Sequence, residues 1–105
     1  MVMSAKQRPT SEADAQVGQA WSMHHQGKNE DALQLFREIV QRWPEHIDAN
    51  YGLALTMKAT GNVDEARNAF NRAKTLVQAA ETATSDNDAR MLMLSRLIDQ
   101  QLAML

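Results

Sequence analysis

The 105-residue sequence predicts an all-α fold of two helix-turn-helix repeats followed by a C-terminal capping helix, and three observations carry that expectation. Gly occurs four times and Pro twice, while helix formers such as Ala, Leu, Gln, Glu and Met are abundant, a balance that favours long helices with few turns. No run of alternating β-branched residues is long enough to propose a strand. The third observation is internal repetition. A step of 34 residues pairs Asp14 with Asp48, Ala15 with Ala49, Gly18 with Gly52, Ala20 with Ala54, Met23 with Met57, Gly27 with Gly61, Ala32 with Ala66 and Phe36 with Phe70. An unrelated comparison in so Ala-rich a chain gives roughly two or three identities, so eight mark a duplication.

The chain opens on a short polar stretch, Met1 to Thr10, without the apolar segment of a secretory signal, and it is expected to be a disordered leader. From Ser11 a helix is expected, with Ser11 as cap and Asp14 three residues on, in the manner of a capping box. Val17, Ala20, Met23 and His24 follow at helical spacing. Gly27 then supplies a left-handed residue that ends the helix, and Asn29 is placed to cap the next. That second helix, about Glu30 to Arg42, sets Ala32, Leu33, Phe36, Ile39 and Val40 along one stripe. Trp43-Pro44 stops it, because the residue before Pro is pushed out of the α region. The second unit repeats the plan, with helices near 45–60 and 64–82, giving repeats at about 13–46 and 47–80. After Ala83 the period is lost. Thr84 to Asp88 reads as a capped turn, and a last helix follows over about 88–104, rich in Leu and Met.

The segment QGKNEDALQLFREIVQRWPEH resembles the second half of a tetratricopeptide repeat, and IDANYGLALTMKATGNVDEARNAF resembles the first half of the next, running into its second helix. The residues that match are Gly27 and Gly61, Ala32 and Ala66, Phe36 and Phe70, Pro44, the Leu53-Ala54 pair and Ala73. Gln16 and Asn50 stand where that family often has Trp, Gln19 where it prefers Leu, and Met23 and Met57 where it has Tyr. Pro44 has no counterpart, since Gln78 occupies its place, so the fourth helix is not forced to stop there. The resemblance implies an α-α superhelix whose concave groove binds a peptide or partner protein without catalysis. Carried over by repeat phase, the groove lining is Val17, Trp21, His24, Tyr51, Leu55 and Lys58, flanked by Asp14, His25 and Asp48. Trp21 and Tyr51 lie off the packing stripes, and two readings stand side by side: exposed anchors for a ligand, or rings packed against each other across the repeat. The chaperone-tail clamp found in one branch of the family is absent, because Val17, Trp21 and Gly52 occupy its positions. Lys58 is the one expected groove cation, and an extended apolar or amphipathic segment is the expected ligand.

Other function classes find little support. The net charge is -2 with no basic stripe, which argues against nucleic acid. No segment approaches the length of a membrane span. There is no cysteine, and His24, His25 and His46 lack the spacing for a metal, so no cofactor or metal is expected. No phosphate loop, H-E-x-x-H or G-x-S-x-G motif is present, and Glu30/Asp31 and Asp64/Glu65 are explained as first-turn partners of helix dipoles. The expectation is a cytoplasmic adaptor or scaffold and not an enzyme. An alternative remains: the last helix has more apolar residues than one covering face needs. Leu94, Leu97, Ile98 and Leu105 could therefore join two copies in a homo-oligomer, or serve the cap alone. A part of a larger assembly is a third expectation.

Overall fold

The computed structural model describes the backbone of residues 2–83 and 89–105 and the side chains of 12–80 and 91–105. Five helices follow in order: α1 Val2–His25, α2 Asn29–Arg42, α3 Ile47–Ala59, α4 Val63–Ala83 and α5 Ala89–Met104. Among the described residues there is no strand. Each helix packs on the next in the chain, and the alternate helices α1 and α3 also touch. This is the stacking of helix pairs into a superhelix.

The turns within each pair are built alike. Gly27 and Gly61 have φ of 83° and 88°, the left-handed region that an L side chain rarely adopts. Around them the Lys28 N–H donates to Met23 O and the Gly27 N–H to His24 O. The Asn62 N–H donates to Met57 O and the Gly61 N–H to Lys58 O in the same pattern, so both turns are Schellman motifs. The repeated Met and Gly thus mark the two ends of one local hydrogen-bond device. Trp43 ends α2 with φ −131°, outside the α region, as the following Pro44 requires. With Gln78 in place of a second proline, α4 runs on to Ala83.

Small residues bring the helices together. Ala20, Ala32, Ala54, Ala66 and Ala73 are fully buried, and Phe36 and Phe70 fill the space between pairs with no exposure at all. Gly52 is part of the same fit, since a Cβ there would collide with the Phe36 ring. Asn50, at a position where an aromatic is common, is buried. Its amide donates to Pro44 O at 3.1 Å and His46 O at 2.7 Å, which pins the α2–α3 turn.

Several expectations at helix starts are corrected. The helical backbone of α1 begins at Val2, so Ser11 lies inside the helix, not at its cap. Of residues 2–10 only Pro9 opposes a helix strongly, and Lys, Gln, Arg and Ala favour one. Asp14 is then no capping partner; it accepts a hydrogen bond from His46 Nε2 at 2.7 Å, across the repeat. Lys28, not Asn29, precedes α2, and no side chain caps it. Asn29 is drawn away because its Oδ1 meets His24 Nδ1 at 2.8 Å. The α3 N-cap is His46, whose Nδ1 accepts the Ala49 N–H. The turn expected at residues 84–88 lies outside the described residues.

Candidate functional site

The first helices of successive units, α1 and α3, turn Trp21, Tyr51 and Leu55 to one side, and all three are half-buried against the core. Beneath them lie the phenylalanines of the second helices. Trp21 meets Phe36 edge to face with centroids 5.4 Å apart, and Tyr51 meets Phe70 likewise at 6.0 Å. Trp21 and Tyr51 face each other at 6.3 Å across the repeat boundary. Such edge-on contacts hold rings in place beyond what area burial alone supplies. The rings are thus packed against each other and against the phenylalanines, and each remains partly exposed. Burial pushes the Tyr51 phenol pKa above its usual value by penalising the phenolate.

The remaining groove residues divide. Val17 is 5% exposed, so it belongs to the floor and offers a ligand almost no surface. His24 is half-buried and spent on Asn29, tying the end of α1 to the start of α2. His25 is exposed and stacks on Trp21, with ring planes 27° apart and centroids at 6.2 Å. Lys58 Nζ donates to Gln101 Oε1 at 2.6 Å. The cation expected to await an acidic ligand thus already holds α5 in place, a pairing 43 residues distant that no local pattern announces.

Helix α5 joins the same surface. At its start, Met91 shares with Asp14, Glu45, His46, Ile47 and Asp48 the lining of a shallow hollow of about 270 Å³. Towards its end, Gln101 reaches Lys58, near the end of α3. Helix α5 therefore runs alongside α3 in the same direction, as a first helix of a further unit does. On its other flank Lys74 Nζ pairs with Asp99 at 2.8 Å, linking it to α4. Leu94 and Ile98 are 9% and 0% exposed and belong to the intramolecular core, and Leu105 is half-buried against it. Of the four residues proposed for self-association only Leu97 is exposed, at 38%, and it is accompanied by Leu92, Met93 and Met104.

Among the described residues no three His, Cys, Asp or Glu side chains converge on a metal position. His46 uses both ring nitrogens, Nδ1 as acceptor from the Ala49 N–H and Nε2–H as donor to Asp14. No helix of the described residues is long and apolar enough to cross a membrane. The tetratricopeptide-repeat family model matches residues 23–98. No solved structure matches the chain.

Proposed function

The chain belongs to the tetratricopeptide-repeat family, a protein–protein interaction fold, and from that premise we propose that it is a non-catalytic cytoplasmic adaptor. Its ligand is an extended apolar or amphipathic segment of a partner protein, laid across Trp21, Tyr51 and Leu55 on the surface shared by α1, α3 and α5. The observation that carries this reading is the aromatic pair. Two large rings stand half-open 6.3 Å apart on neighbouring helices, each braced edge-on by a buried phenylalanine. A braced ring loses little conformational freedom when it is covered, so burying its open face goes into affinity rather than ordering. With Lys58 engaged by Gln101, recognition of an acidic group on the ligand is secondary to apolar contact.

The test is selection of binders from a random-peptide display library on the wild-type chain, followed by titration of the winners. Trp21→Ala with Tyr51→Ala is expected to weaken the selected peptides at least tenfold while far-ultraviolet circular dichroism keeps its helical signal. Equal affinity in a well-folded double variant refutes the groove. The alternative, self-assembly through α5, cannot use Leu94 or Ile98 without opening the core, and rests instead on the exposed side of that helix.

A further inference from the structure

The ring of His46 joins α1 to α3 through both of its nitrogens. Nε2 lies 2.7 Å from Asp14 Oδ1 on α1, and Nδ1 accepts the Ala49 N–H at 3.1 Å as the N-cap of α3. An ionised carboxylate only accepts and a backbone N–H only donates. Both bonds are therefore made together only by a neutral ring with its hydrogen on Nε2. A second proton occupies Nδ1 and sets an N–H against the Ala49 N–H. The two partners thus answer protonation in opposite ways: Asp14 attracts the added charge, whereas Ala49 opposes the added hydrogen.

We propose that His46 is a proton-operated joint: on protonation the ring keeps Asp14 and releases Ala49, which loosens the first turn of α3 and with it the groove. The part concerning the groove rests on the reading of Trp21 and Tyr51 given above. Three features make the release consequential. Ala49 has no exposure, so water does not readily replace the lost acceptor. Asn50 is equally buried, and its amide donates to Pro44 O and to His46 O, so a shift of His46 disturbs the bonds that pin the turn. Tyr51 follows directly, with its ring 6.3 Å from Trp21. A positive ring at the start of a helix is also opposed by the helix dipole. Around His46 stand Asp14 from α1, Arg42 from the end of α2, Glu45 from the turn and Asp48 from α3, while α5 brings the uncharged Met91. Carboxylates and guanidinium groups ordinarily keep their charge between about pH 5.5 and 8, so the imidazole is the member of this cluster that responds in that range.

His24 and His25 are also present, and a global signal would mix all three rings, so the test follows single groups by NMR on the full chain. Between about pH 8 and 5.5 the His46 nitrogen-15 shifts are expected to pass from the Nε2–H form to the doubly protonated ring. In step with them, hydrogen exchange at Ala49, corrected for the intrinsic effect of pH, is expected to speed up roughly tenfold or more. His46→Asn caps a helix without an imidazole and is expected to keep the protection of Ala49 constant. Asp14→Asn removes the attraction for the added charge, and release of Ala49 is expected to need a lower pH. A ring that stays neutral throughout overturns the proposal, as does constant protection of Ala49 beside a protonated ring, or an equal change in His46→Asn. For a peptide selected on the wild-type chain, affinity is expected to fall roughly fivefold over the same range, and to hold in His46→Asn. Equal losses in the two chains overturn the link to the groove. Failure to select any peptide counts against the groove itself, whereas the Ala49 and ring signals judge the joint without a ligand.

Discussion

Gly18 and Gly52 occupy the same place in successive repeats, yet the structure gives Gly→Ala opposite signs at the two. Both sit inside helices, where replacing Gly by Ala stabilises by roughly 0.5–1 kcal/mol through backbone entropy alone. A Cβ at Gly18 meets nothing, so that gain is expected in full. A Cβ at Gly52 runs into the Phe36 ring. Phe36 has no exposure and meets the Trp21 ring at 5.4 Å, so it withdraws only if α2 moves away from α3. Overpacking of this kind costs roughly 1–3 kcal/mol, and because the helix term is common to both sites, that is the expected difference between the variants. Urea denaturation followed by circular dichroism measures it, and for a chain of this size each kcal/mol separates melting temperatures by roughly 4–8 °C. Shortening the ring supplies the control: Phe36→Leu is expected to cost less in the Gly52→Ala background than alone, which a double-mutant cycle reads as coupling. Gly52→Ala melting as high as Gly18→Ala would refute the packing argument.

Three further outcomes follow from the same geometry. Ile98→Ala is expected to lose roughly 2–5 kcal/mol of stability while Leu97→Ala, on the open side of α5, changes it by less than about 0.5, both measured by urea denaturation. His46→Ala is expected to cost about 1 kcal/mol through the lost α3 cap, and His46→Ser to recover most of it without the Asp14 contact; equal losses would mean that the bridge to Asp14 is what counts. Tyr51 is the one tyrosine, and ultraviolet titration should place its ionisation above the ordinary value near 10. Since burial disfavours the phenolate in the folded state, the unfolded chain loses this proton first. Stability is therefore unaffected below the ordinary value and falls as pH rises above it, a slope that Tyr51→Phe should remove.

What could be read from the sequence shares one property: it depends on neighbours within a turn or two, or recurs with the 34-residue period. Gly27 and Gly61 end helices because the left-handed residue and its two hydrogen bonds are local. Trp43-Pro44 stops α2 by a clash between adjacent residues. Ala32, Phe36, Ala66 and Phe70 reveal a buried face because a 3.6-residue period shows which side of a helix is apolar.

The tertiary structure decided matters of rotation and partner choice. Helix α5 is apolar on more than one side, so its pattern could not say which residues meet α4; packing placed Leu94 and Ile98 inside and left Met93, Leu97 and Met104 outside. Lys58 looked free until Gln101 arrived from 43 positions away, and Asp14 looked like a cap until His46 reached it from 32. Gly18 and Gly52 are indistinguishable in the repeat, and only the presence of Phe36 against one of them makes it indispensable. The physical reason is common to all four. Local hydrogen bonding and periodicity determine that a helix forms and where it ends, whereas its rotation and side-chain partners are settled by contacts with residues distant in the chain.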